Sequence, residues 1–300
     1  MSTRLAPLPD LKIDPVQVGR VVAERDVEVT FRRSAAYAAA IGSHRACYLD
    51  DRHPGGALAP PCLITALEWP LVSGAEHLKT LGIPKSELFS RLLHAFQDTR
   101  FDRPLRVGDL LRIEATLASV RATRSGALTT LRLVTRERKT GRPVAESWFG
   151  SFYRGVTVDQ PHAALSPPAI EPSSHSGAAS QESLTLTRAH AHLYGECAGL
   201  WNPIHTEPGF AVAAGFPDVA LHGTMIWAMA GERIIDRHLA GDPTRLVRLA
   251  ARFGHPIFPD CRLTLRVSPS PLLPCSLLID AVRDDASVAL FHGVAELRNS

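Results

Sequence analysis

The chain has 300 residues, long for a single core and comfortable for two domains of ordinary size. Lys and Arg exceed Asp and Glu by only three, 33 against 30, and no basic cluster with interleaved aromatics occurs, which excludes a nucleic-acid footprint. The five cysteines, Cys47, Cys62, Cys197, Cys261 and Cys275, form no CxxC pair and no zinc spacing, which fits a reducing compartment and argues against a metal site. The opening MSTRLAPLPDLKIDP has no apolar run long enough for a signal peptide, and nothing later approaches a membrane span, so a cytoplasmic protein with no membrane partner is expected.

Taken in order, Val18 to Phe31 contains the alternating run DVEVTF, a strand by period. Ser34 is placed to cap a small helix through Tyr37 to Ile41. Gly42 to Pro61 reads as loop, and Cys62 to Val72 as an apolar helix interrupted at Pro70. The pattern then changes to long half-buried strands: HAFQDTRF, LLRIEATLASVRAT, LTTLRLVTRER and PVAESWFGSFYRG, joined by short turns as in an antiparallel meander. His94 and Asp98 on the first of these are a polar pair that could carry chemistry, against the plainer reading in which alternation puts them on a solvated strand face. Residues 156–180 are rich in Pro, Ser, Gly and Ala without periodicity, a linker in which His162 and His175 carry no assigned role.

The second half repeats the element order of the first. SLTLT is a strand, Thr187 caps the helix RAHAHLYGE, and VRLAARF, CRLTLRVS, CSLLIDAVR and VALFHGVAEL follow as strands. His190 and His192 face different sides of their helix and make no metal pair. The repeat of element order implies two similar α+β domains, residues 1–155 and 181–300.

Between helix and strands lies the chemically densest stretch, YGECAGLWNPIHTEPGFAVAAGFPDVALHGT. Pro203 biases Asn202 away from helix, so Asn202 and His205 sit on a short ordered turn. Leu221-His222-Gly223-Thr224 opens the apolar run MIWAMAGERIIDRHL, whose helix N-terminus would offer unpaired N–H groups to a developing oxyanion.

Tyr194, Gly199, Asn202, Pro203, His205, His222 and Gly223 carry a resemblance to the MaoC-like, (R)-specific enoyl-CoA hydratase and 3-hydroxyacyl-thioester dehydratase family. The family pattern is an aromatic, a short helix, Gly-Asp-x-Asn-Pro-x-His, and later His-Gly. ARFGHPIFPDCRLTLRV and FDRPLRVGDLLRIEATL extend the similarity to nearly the whole chain. The resemblance implies a double hotdog, each repeat an antiparallel sheet wrapped on a central helix. The N-terminal repeat would be non-catalytic and would shape the acyl pocket, with residues of Leu58 to Val72 along it.

It further implies a hydratase or dehydratase of 2-enoyl or 3-hydroxyacyl thioesters, carried by coenzyme A or an acyl carrier protein, without cofactor or metal. His205, Asn202 and Gly223 would be the catalytic set. Tyr194, Leu200, Trp201, Thr224 and Trp227 would line the substrate pocket. A homodimer of double-hotdog chains is left open.

One departure matters. The family's aspartate falls on Leu200, which can neither accept a proton nor hold water. Glu196, Glu207 and His222 are the auxiliary candidates, Cys197 a remote one. For each carboxylate the plain alternative is a solvated side chain, and for His222 a structural role at the helix start. Loss of the aspartate leaves open changed lyase, isomerase or thioesterase chemistry on His205, or an acyl-thioester or partner-binding protein without catalysis.

Overall fold

The computed structural model describes residues 10–170 and 179–298, so His175 and the middle of the expected linker lie outside the described residues. The first half runs β1 (Leu11–Ile13), β2 (Val21–Glu28), α1 (Phe31–Ala40), α2 (Ala46–Leu49), α3 (Leu63–Val72), α4 (Ala75–Leu81), α5 (Lys85–Arg91), β3 (Leu92–Phe101), β4 (Leu110–Thr123), β5 (Gly126–Glu137) and β6 (Pro143–Arg154). Two short strands follow, β7 (Val156–Val158) and β8 (His162–Ala163). The second half runs β9 (Ser180–Leu186), α6 (Arg188–Ala198), α7 (Pro203–Thr206), α8 (Pro208–Ala213), α9 (Gly223–His238), β10 (Leu246–Phe253), β11 (Cys261–Pro269), β12 (Ser276–Arg283) and β13 (Val288–Leu297).

Main-chain pairing joins the long strands in the order β2-β4-β5-β6-β3-β10-β13-β12-β11-β9. The two halves therefore share one antiparallel sheet, continuous through the β3–β10 pair, with Ala250 opposite Asp98 and Arg252 opposite Phe96. The sheet wraps α3 and α9, and one apolar core runs through both halves. This is a double hotdog of α+β class. At the seam, Arg248 donates to Asp98 at 2.7 and 2.8 Å and to Glu296 at 2.7 Å. Asp98 is thus buried in an ion pair rather than set on a solvated face as alternation suggests.

The halves also repeat in detail. Tyr37 and Tyr194 sit on α1 and α6, and their hydroxyls meet at 3.4 Å where these helices cross. Each helix ends at a glycine in the left-handed region, Gly42 (φ 72°) and Gly199 (φ 67°), and each is followed by a one-turn helix, α2 or α7. Only glycine enters that region without steric cost, so the chain reverses at both places.

Local expectations need two corrections. Thr30, not Ser34, caps α1, accepting from the Arg33 N–H at 3.3 Å, so the helix begins a turn earlier and buries Ser34 inside it. Val156–Val158 and His162–Ala163 are not free linker: the first pairs with β1 in a separate two-stranded parallel sheet, and the second adds a short antiparallel pairing to β4.

Candidate active site

The site begins where α6 stops. The turn after Gly199 brings Leu200 inward, and Asn202 then caps α7, its Oδ1 accepting from the Ile204 N–H at 3.1 Å. Pro203 at the first helical position has no N–H to lose there. One turn of helix is enough to present His205. Its Nδ1–H donates to the Ala220 carbonyl at 2.6 Å, which leaves Nε2 as the basic nitrogen, with no hydrogen bond to any described residue.

The His222 ring stacks on His205 with centroids 3.7 Å apart, and its Nε2–H donates to the Leu200 carbonyl at 3.0 Å. Burial lowers His205 from 6.5 to about 4, against a smaller upward pull from the Ala220 carbonyl. Burial and the neighbouring His205 hold His222 well below the usual histidine range. Both rings are therefore neutral at neutral pH.

His222 is also the residue before α9. Gly223 and Thr224, the first two residues of that 16-residue helix, have no intrahelical acceptor for their N–H groups. Gly223 is required by packing: a Cβ there would stand 2.8 Å from the Phe253 ring. The helix start is thus pressed against β10, with its amides on the same wall as His205.

These groups enclose a cavity of about 120 Å³. Leu200, Asn202, His205, Gly223, Thr224 and Ile226 line it from the second half, with Phe253 to Ile257 at the end of β10. Trp69, Leu92, Leu93, His94 and Phe149 close it from the first. The cavity opens where the β3–β10 ladder ends: pairing stops at Phe96–Arg252, and residues beyond it on both strands turn to the lining. Among the described residues its lining includes four histidines, His94, His205, His222 and His255, and no carboxylate. Among the described residues, no group of three His, Cys, Asp or Glu side chains is arranged to hold a metal ion.

Of the residues picked out in the sequence, Leu200, Asn202, His205, His222, Gly223 and Thr224 converge on this cavity. Glu196 and Glu207 do not: both are exposed, on the outer side of α6 and at the cap of α8, and neither lines it. Tyr194 is fully buried behind the site, 5.2 Å from His222, where it supports that ring rather than touching the cavity. Trp201 is 47% exposed and packs edge-on against Phe89. Trp227 lies in the core of α9, also off the lining. Cys197 has its thiol pushed up, chiefly by burial, which disfavours the nucleophilic thiolate. From Leu58 to Val72 only Trp69 reaches the cavity.

His94 is the residue that sequence reasoning misplaced. It is not on a solvated face but at the cavity wall, its ring parallel to Phe149 at 3.7 Å and tilted against Phe253 at 4.5 Å. The register shift between His94 and Phe96 on β3 breaks the alternation on which the reading relied.

Residues 173–270 match the model of the MaoC like domain, and residues 16–147 match that of the FAS1-like dehydratase domain region. A probable enoyl-CoA hydratase 2 of Dictyostelium discoideum is 25% identical over 206 residues, 68% of this chain and 69% of that protein. The 3-hydroxyacyl-thioester dehydratase Y of Mycobacterium tuberculosis is 27% identical over 255 residues, 83% of this chain and 85% of that protein. A solved MaoC-like dehydratase from Phytophthora capsici has the same fold, with a TM-score of 0.79 at 20% identity over 95% of this chain and 98% of that one.

Proposed function

The chain belongs to the MaoC-like dehydratase family, and from that premise we propose that it interconverts 2-enoyl and 3-hydroxyacyl thioesters of coenzyme A or an acyl carrier protein. The observation that carries this reading is the juxtaposition at one cavity of a neutral His205, its Nε2 unengaged, with the first amides of α9.

In the hydration direction the thioester carbonyl accepts hydrogen bonds from the Gly223 and Thr224 N–H groups. These strengthen as charge moves onto the oxygen, and the positive end of the helix dipole adds to them. His205 Nε2 takes a proton from water as its oxygen bonds to Cβ. The π pair of the double bond passes through Cα to the carbonyl oxygen, and the proton on His205 then returns to Cα. Dehydration is the same path reversed. Asn202 holds the turn that positions His205. Leu200 occupies the place where the family carries an aspartate, so this chain works without that carboxylate.

The absence of any carboxylate among the described lining residues also favours a second reading. There, His205 moves protons in an elimination, isomerisation or thioester hydrolysis in which water need not be held by an acid. Product identification from a trans-2-enoyl-CoA and from a 3-hydroxyacyl-CoA separates the two.

The test of the first reading is His205→Ala. Turnover of trans-2-decenoyl-CoA should fall by roughly a hundredfold to ten-thousandfold, the range for one positioned proton-transfer group. Circular dichroism should remain that of the folded protein. Unchanged turnover in the folded variant would remove His205 from the chemistry.

A further inference from the structure

We infer that Tyr37, contributed by the first half, is a positioning residue for this site: acting through Tyr194, it fixes the start of α9, where the thioester oxygen is held. The inference rests on the hydratase reading above and gives the first half a part in placing the oxyanion site.

Matching hydrogen bonds set the two halves in register. The Leu58 N–H donates to the Cys47 carbonyl as the Ala220 N–H does to that of Ile204, and the Ala59 N–H donates to Leu105 as the Leu221 N–H does to Ile257. Three residues on from Ala59 and Leu221, Cys62 before α3 therefore corresponds to Thr224 at the start of α9. Tyr37 and Tyr194 bridge these two helix starts, with ring centroids 5.7 Å apart and both side chains fully buried.

The hydroxyls form a chain with one direction. Tyr37 donates its single proton to the Cys62 carbonyl at 2.9 Å. At the 3.4 Å contact Tyr194 is therefore the donor and Tyr37 the acceptor. The Tyr194 oxygen in turn accepts from the Thr224 hydroxyl. Thr65 stands beside both tyrosine hydroxyls but commits its own proton to the Cys62 carbonyl at 2.9 Å. Because Thr224 lines the cavity, the chain runs from the cavity wall into the first half. Burial pushes Tyr194 up to about 12 and Tyr37 well above the usual phenol range, so both keep their protons where His205 works.

Tyr194 also backs the histidines. Its ring lies 5.2 Å from that of His222, which stacks on His205 at 3.7 Å. One side chain thus touches the base's neighbour and the helix start together. A shift of its hydroxyl moves the Gly223 and Thr224 amides relative to His205, and rates respond steeply to displacements of about 1 Å.

Tyr37→Phe removes the acceptor that orders the chain and keeps the ring, while the Cys62 carbonyl retains its bond from Thr65. Wild type, Tyr37→Phe, Tyr194→Phe, the double variant and His205→Ala are compared by steady-state kinetics on trans-2-decenoyl-CoA as a function of pH. Thermal melts accompany the kinetics, with the infrared carbonyl stretch of bound decanoyl-CoA, isotope-labelled at the thioester carbon. Tyr37→Phe should lower kcat about tenfold, hold KM within about threefold and leave the acid limb of the pH profile in place. Its melting temperature should fall by no more than about 4 °C, as for one lost hydrogen bond. The carbonyl stretch should move toward its value in water as the helix-start amides are displaced. Since Tyr37 acts through Tyr194, the double variant should lose no more than Tyr194→Phe alone.

A kcat for Tyr37→Phe within about threefold of wild type, or a carbonyl stretch that does not move, makes Tyr37 a core residue only and overturns the inference. Losses that multiply in the double variant overturn it too. Should Tyr37→Phe fail to fold, the same thresholds applied to Tyr194→Phe decide it. Full activity in His205→Ala, or a wild type that does not turn over the enoyl thioester, overturns the hydratase reading instead, and the carbonyl stretch then decides the role of Tyr37 by itself.

Discussion

At the scale of single residues, the site depends on two positions where side-chain size sets the geometry. Gly223 has no room for a methyl group against Phe253. Gly223→Ala should therefore shift the start of α9 and cost about 1–3 kcal/mol of stability by overpacking. The accompanying drop in turnover should exceed the loss of folded protein, checked by kinetics beside a denaturant titration. Leu200 is the other position. Its carbonyl holds His222, while its side chain, 5% exposed, lines the cavity. Leu200→Asp keeps the carbonyl and adds a carboxylate near His205, and we expect it to raise hydration of trans-2-decenoyl-CoA. Burial will raise the pKa of the new carboxyl, so the gain should grow with pH. Hydration unchanged at every pH would mean that the site no longer uses a carboxylate.

At the scale of elements, α3 and α9 are equivalent in the fold but have diverged in what they bury. The turn into α9 supplies His222 and Gly223, whereas the turn into α3 reads Leu58-Ala59-Pro60-Pro61 and has two prolines that can donate nothing. α3 instead buries Glu68, whose carboxyl is pushed from 4.5 up to about 8, chiefly by burial. Because its folded value lies above the unfolded one, the stability it contributes is complete below pH 4.5 and is lost as pH rises through 8. Glu68→Gln should flatten that decline: the wild-type melting temperature should fall relative to the variant between pH 5 and pH 8.5. Parallel pH profiles for the two proteins would show that Glu68 is not held as an acid in the fold.

At the scale of the molecule, the halves are fastened by charge as well as by the shared core. Arg248 on β10 grips Asp98 on β3 across the seam, and Arg45 from the first half reaches the buried Glu232 on α9. Removing one partner of a buried pair leaves the other uncompensated. Asp98→Ala should therefore cost about 3–5 kcal/mol, read as a lower midpoint in urea with a single transition. The histidines add a pH dependence of opposite sign to Glu68. Burial holds His77 and His205 near 4 and His94 near 3, with His222 also depressed. Their folded values lie below 6.5, so the stability is present above pH 6.5 and is lost as pH falls toward 4 and below. Acid unfolding with uptake of more than one proton in that window is the expected result of a melting series. The same shift places the acid limb of kcat/KM near pH 4, not 6.5, for a reaction that needs His205 neutral.

Much of this was already legible along the chain. The strands β4, β5 and β6 announce themselves because their alternation runs long and their turns carry Gly, Asp and Lys at short spacing. The turn at Asn202 and His205 is local too: a proline, a capping amide and one helical turn act within four residues, so neighbours in sequence are enough to shape it. What sequence could not supply is anything made by residues far apart. His94 and Gly223 meet only because β3 and β10 pair, and a one-residue register shift decides that His94 faces the cavity. Glu196 and Glu207 are near His205 in the chain yet exposed and off its cavity, since the helical turns between them point those carboxylates outward. Short-range backbone chemistry writes the motif; the packing of one shared sheet on two helices selects which groups share its cavity.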